Sequence, residues 1–79
     1  MEIKVTYFGL IAELAGKSEE ALSTPSATSA RALREHLENL YPELRQRTYQ
    51  VAINHSIAHQ DTVIQSGDEI AILPPFAGG

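Results

Sequence analysis

The run Leu73-Pro74-Pro75-Phe76-Ala77-Gly78-Gly79 closes this 79-residue chain. Its residue types suit one kind of chemistry, the presentation of a carboxylate to another protein. Gly78 and Gly79 have no Cβ, so the pair is slim enough to thread a narrow slot and free enough to take the backbone path it requires. Pro74 and Pro75 restrict φ and favour an extended path, so the tail is expected to project from the body. From Pro74 to Gly79 the reach is roughly 20 Å when fully extended. The arrangement is a carboxylate on a stalk.

Other groups offer less. The chain has no cysteine, which excludes a disulfide framework, a thiolate metal site and a cysteine nucleophile. His55 and His59 stand four apart, but an extended chain separates their α-carbons by roughly 13 Å, and no third ligand accompanies them, so no metal site is expected. His36 falls among surface residues of a helix. Asp68 and Glu69 follow Gly67 and are expected to cap or solvate a turn instead of forming an acid–base pair. The six basic residues, Lys4, Lys17, Arg31, Arg34, Arg45 and Arg47, are scattered over a chain of net charge −4, which argues against nucleic acid as a partner. An acidic body would suit a basic protein partner. No apolar run has the length of a membrane span, and Met1-Glu2-Ile3-Lys4 does not begin a signal peptide; a soluble cytoplasmic protein is expected.

The positioning elements follow from periodicity. Seventy-nine residues with 43% hydrophobic content allow one small domain with one core. Ile3, Val5 and Tyr7 alternate with Lys4, Thr6 and Phe8 as in a strand, and Gly9 breaks it. Leu10 to Ala15 forms a short helical turn stopped by Gly16, and Glu19 to Ser23 is a second strand. Thr24 to Thr28 is turn-like, and Thr28 or Ser29 can cap the next helix. In that helix Ala30, Leu33, Leu37, Leu40, Tyr41 and Leu44 form one apolar stripe, opposite Arg31, Arg34, Glu35, Glu38 and Asn39. Pro42 ends it near Tyr41. Val51 and Ile53 mark a third strand, Asn54-His55 a turn, Ser56-Ile57-Ala58 a short strand, Ser66-Gly67-Asp68 a turn, and Glu69 to Leu73 the last strand. One helix covers one face of a sheet, so the expected fold is an α/β (α+β) β-grasp. It has a mixed sheet of about four to five strands, with Leu33, Leu37 and Leu40 packed on Val5, Val51, Ile53, Ile70 and Ile72. Residues 1–73 make the domain and 74–79 the tail.

Five blocks carry a resemblance over essentially the whole chain: Val5-Thr6-Tyr7-Phe8, Glu13-Leu14-Ala15-Gly16, Val51-Ala52-Ile53-Asn54, Gly67-Asp68-Glu69-Ile70-Ala71 and the closing Leu73-to-Gly79 run. In their order and spacing the sequence resembles the MoaD-type small subunits of molybdopterin synthase, within the MoaD/ThiS ubiquitin-like sulfur carriers. The resemblance implies that an E1-like, MoeB-type enzyme adenylates the Gly79 carboxylate with ATP. A sulfur donor protein then converts it to a thiocarboxylate. A MoaE-type large subunit, in a heterotetramer, uses that sulfur to build the dithiolene of molybdopterin. The chain has no G-x-x-x-x-G-K-[ST] phosphate loop, so ATP belongs to the activating partner, and the chain itself binds no cofactor and is no catalyst alone. On this reading Gly79 reacts, Gly78 is the passage residue, and Pro74, Pro75, Phe76 and Ala77 position the tail. Phe76 can anchor in the partner.

If the first and last strands are parallel neighbours, as the resemblance implies, Phe8 and Leu73 emerge together on the helix-free face. Exposed apolar residues there would form a docking patch. A thiazole-synthesis sulfur carrier, a ubiquitin-like protein modifier and a β-grasp interaction module that is never activated remain the competing readings.

Overall fold

In the computed structural model, which describes residues 1–24 and 28–75, the elements run β1 (Glu2–Tyr7), α1 (Gly9–Ala15), β2 (Glu19–Ser23), β3 (Thr28–Ser29), α2 (Ala30–Leu40), a 3-10 turn (Pro42–Gln46), β4 (Gln50–Ile53), β5 (Ser56–Ile57), β6 (Val63–Ile64) and β7 (Glu69–Leu73). Among the described residues, five strands join in one mixed sheet in the order β2-β1-β7-β4-β5, while β3 and β6 pair separately. The central pair β1 and β7 is parallel, with Val5 opposite Ile70 and Tyr7 opposite Ile72. β4 runs antiparallel to β7, placing Val51 opposite Ile72 and Ile53 opposite Ile70. This is the mixed β-grasp sheet expected from the sequence.

The period-two pattern of each strand sorts its side chains to two faces. Ile3, Val5, Tyr7, Leu22, Val51, Ile53, Ile70 and Ile72 are buried on one face, in a single cluster with Ala30, Leu33 and Leu37 of α2, Leu44 and Ile11 of α1. Ser29 caps α2 by accepting a hydrogen bond from the Ala32 N–H at 3.2 Å. Gly16, at φ 76°, closes α1, its N–H bonding to the Ala12 carbonyl. Tyr49 is buried and donates to Glu38 Oε2 at 2.7 Å, with the Arg34 guanidinium 4.3 Å from its ring centroid, and so ties α2 to the chain entering β4.

Three expectations need correction. Leu40 does not pack in the core: it is 45% exposed, because the inward positions at that end of α2 are taken by Tyr41, packed against the core, and by Leu44, fully buried from the 3-10 turn. Leu44 also belongs to that separate turn and not to the helical stripe. Thr28, read as part of a turn, instead pairs with Ile64 in a two-residue ladder that sets the entry to α2.

Tyr41 and Tyr7 meet edge to face with ring centroids 6.1 Å apart. Both hydroxyls donate to Glu20 Oε1, at 2.7 and 2.8 Å, and Lys17 Nζ lies 3.5 Å from Oε2. Glu20 sits opposite Val5 on the core side at the outer edge of the sheet. Partial burial pushes its carboxyl pKa up, but the hydrogen bonds from Tyr41 and Tyr7, with Lys17, outweigh this and hold it below the usual range. The same burial and the Glu20 hydrogen bond push the Tyr7 hydroxyl well above its ordinary value.

Candidate functional site

The tail residues Phe76, Ala77, Gly78 and Gly79 lie outside the described residues, so the site is built from the surface at the tail's root. Parity along β1 and β7 turns Lys4, Thr6, Phe8, Glu69, Ala71 and Leu73 to the face that α2 does not cover. Registers carry that face across the sheet: Thr6 lies opposite Ala71, Ala71 opposite Ala52, and Ala52 opposite Ile57. The middle of this row is made of small side chains. With no bulk there, the face forms a shallow depression of about 960 Å³, lined by Thr6, Ala52 and Ala71, with Phe8, Leu73 and Ile57 among its larger apolar walls.

Phe8 and Leu73 therefore do come together on the helix-free face, as expected from their parity and the parallel pairing of the first and last strands. Phe8 is 46% exposed and Leu73 half-buried. The Phe8 N–H donates to the Ile72 carbonyl at 3.1 Å, extending the parallel ladder to the point where the tail departs. Polar and charged side chains edge the apolar surface: Lys4 Nζ lies 3.3 Å from Glu19 Oε2, and His55 Nε2 lies 3.1 Å from Glu69 Oε2. Both pairs are largely exposed, so they contribute little stability and leave a polar rim around the apolar floor.

The remaining candidates resolve into structure. Asn54 and His55 have φ of 52° and 72° and form the two-residue turn between β4 and β5. The His59 N–H donates to Thr62 Oγ1 at 3.0 Å, and among the described residues no group of three His, Cys, Asp or Glu is placed to hold a metal ion. Asp68 accepts from the Gln65 N–H at 2.8 Å and from Asn54 Nδ2 at 3.0 Å, contacts that hold its carboxyl below the usual range. It caps its turn and latches the neighbouring hairpin. His36 is exposed on α2.

Sequence reasoning missed one feature at the tail's root. Gly9 has φ +56°, and a Cβ at this position would stand 2.9 Å from Pro74 Cγ. The only signal for this contact was a glycine two residues past the end of β1, and its partner lies 65 residues away in the chain.

Both the sequence and the fold have known relatives. The "Molybdopterin synthase sulfur carrier subunit" of Mycobacterium tuberculosis is 34% identical over 82 residues, an alignment that takes in 100% of this chain and 99% of that one. The fold superposes on a putative molybdopterin converting factor, subunit 1, from Pyrococcus furiosus with a TM-score of 0.88 at 24% identity, covering 95% of this chain and 98% of that one. It also superposes on a chain from the complex of subunits 1 and 2 of the molybdopterin-converting factor of Helicobacter pylori, with a TM-score of 0.70 at 23% identity and full coverage of both. These last two likenesses speak to the fold. The ThiS family itself matches residues 5–79, nearly the whole sequence, and the chain belongs to that family.

Proposed function

We propose that this chain is the sulfur carrier subunit of a molybdopterin synthase, a substrate and subunit with no catalysis of its own. The observation that carries the reading is the end-to-end match to a relative of that name. The Helicobacter pylori neighbour, one subunit of a two-subunit complex, supports a large-subunit partner.

The sulfur rides on the carboxyl group of Gly79. A carboxylate resists attack until it gains a leaving group, and adenylation by an activating partner with ATP supplies AMP. Attack by a sulfide equivalent from a donor protein forms the C–S bond and breaks the C–O bond to AMP, leaving a thiocarboxylate that is anionic near neutral pH. The chain has no cysteine, so no side-chain thiol competes for the sulfur. Gly78 lets the tail pass a narrow channel, with Ala77, Phe76, Pro75 and Pro74 as the spacer. Carrier, activator and donor would meet in the cytoplasm.

The helix-free face is the docking surface on this reading, with Phe8 and Leu73, joined by Phe76, against the large subunit. An apolar floor inside a charged rim suits a protein interface, and its place beside Pro74 lets one partner hold the body while the tail enters its site. Reconstitution tests the function: thiocarboxylated chain, a synthase large subunit and the cyclic pyranopterin precursor should yield molybdopterin, and the plain carboxylate form should yield none. Equal product from both forms would refute the role.

A further inference from the structure

We propose that Gly9 is a positioning residue for the tail, because its missing Cβ lets the Pro74 ring seat against the first residue of α1 and fixes where the tail leaves the sheet. The inference rests on the carrier reading above for its functional consequence. Its geometric basis is independent of that reading.

The parallel ladder explains why these two residues meet. Tyr7 lies opposite Ile72, and the Phe8 N–H still reaches the Ile72 carbonyl. Counting on by two places Gly9 beside Pro74. Proline has no N–H to continue the ladder, so the two chains part here, β1 turning into α1 and β7 running out into the tail. At the parting point a Cβ on residue 9 would stand 2.9 Å from Cγ and 3.8 Å from Cδ of Pro74. The nearer distance is below van der Waals contact, and the obstructing atom belongs to a closed ring that can yield by puckering but cannot rotate away as an open side chain does. A side chain at position 9 must therefore displace the Pro74 ring or shift the backbone that faces it. Pro75 follows directly with its own restricted φ, so a displaced root redirects the start of the five residues that carry the carboxylate.

Two other glycines separate this effect from simple backbone strain. Gly16 and Gly67 also have positive φ, 76° and 89°, yet a Cβ at either meets nothing within 4 Å. Gly9→Ala and Gly16→Ala therefore impose the same kind of strain, and only the first touches the tail.

The test uses the full-length chain with its activating enzyme, ATP and sulfide. Gly9→Ala should lower kcat for thiocarboxylation about tenfold, since small misplacements of a reacting group carry penalties of this order or more. KM should stay near the wild-type value, because the substitution removes no side chain from the exposed surface of the domain. Gly16→Ala should leave kcat unchanged, and in a Pro74→Ala background, where Cγ and Cδ are gone, Gly9→Ala should have no further effect. By NMR, the wild type should show a contact between the Gly9 Hα and Pro74 Hγ protons, and Gly9→Ala should shift the Phe76 amide where Gly16→Ala does not. Equal kcat for Gly9→Ala and Gly16→Ala overturns the proposal, as does a missing Gly9–Pro74 proton contact in the wild type. If the wild type is not converted at all, the carrier reading falls, while the proton contact and the Phe76 shift still decide whether Gly9 sets the root.

Discussion

The two faces of the five-stranded sheet are made by the same strands from alternate residues, and they differ most in side-chain size. The face under α2 presents Ile3, Val5, Val51, Ile53, Ile70 and Ile72, all buried. The other presents Thr6, Ala52 and Ala71 as a shallow floor, with an exposed Phe8 at the end where the tail begins. Large branched side chains fill space between sheet and helix and carry the stability of a domain this small. Small ones leave room, and an exposed aromatic beside such a floor costs solubility unless something covers it. One face holds the fold together, and the other is available for a partner.

That division can be broken first on the covered face. Leu37 is fully buried at the centre of the α2 stripe, so Leu37→Ala should lower unfolding free energy by about 2–5 kcal/mol in urea titrations. A neutral result would mean that the helix does not pack where the structure places it.

The edge of the same face offers a smaller effect with a pH signature. Removing the Glu20 carboxylate leaves the Tyr7 and Tyr41 hydroxyls without their acceptor, and Glu20→Ala should cost about 1–3 kcal/mol. The pKa of Glu20 is lowered in the folded state. Its contribution is therefore fully present above the ordinary carboxylate pKa and is lost as pH falls through the lower folded value. Urea midpoints for wild type and Glu20→Ala should accordingly converge on acidification from about pH 7 to about pH 3. A gap that stays constant or widens in acid would show that the tyrosine–glutamate contacts do not depend on the charge.

The open face should behave the other way round. Phe8→Asp should leave the domain folded, yet weaken binding to the synthase large subunit by roughly tenfold or more, since a carboxylate is costly to bury in an apolar interface. Leu73→Asp should follow the same pattern. Unchanged titration curves for both folded variants would place the docking surface elsewhere.

Legibility in the sequence followed the length of each signal. β1, α2 and β7 stood out because their apolar residues repeat over several positions, and the Asn54-His55 turn because of its residue types. The parity of Phe8 and Leu73, together with the parallel pairing that the resemblance implied, was enough to place both on the uncovered face. The two-residue strands β3 and β6 are too short to show a period, and what fixes them is the pairing of Thr28 with Ile64 across the fold. Glu20, next to Glu19, has the local look of a solvated charge; its role comes from Tyr7 and Tyr41, which only the folded chain brings to it. Leu40 has the helical spacing of a core residue and is exposed because Tyr41 and Leu44 occupy the inner space at its end of α2. The Gly9–Pro74 contact is invisible locally for the same reason: neither residue has a pattern that points to the other.

The central claim is that Gly79 carries the sulfur, and intact mass spectrometry tests it most directly. After incubation with the activating enzyme, ATP and a sulfur donor, the chain should gain the mass of one oxygen replaced by sulfur, with fragmentation assigning the change to Gly79. Deleting Gly79, or extending the chain by one residue beyond it, should abolish the change while the domain stays folded. An unchanged mass, from an enzyme shown to be active on another carrier, would contradict the account.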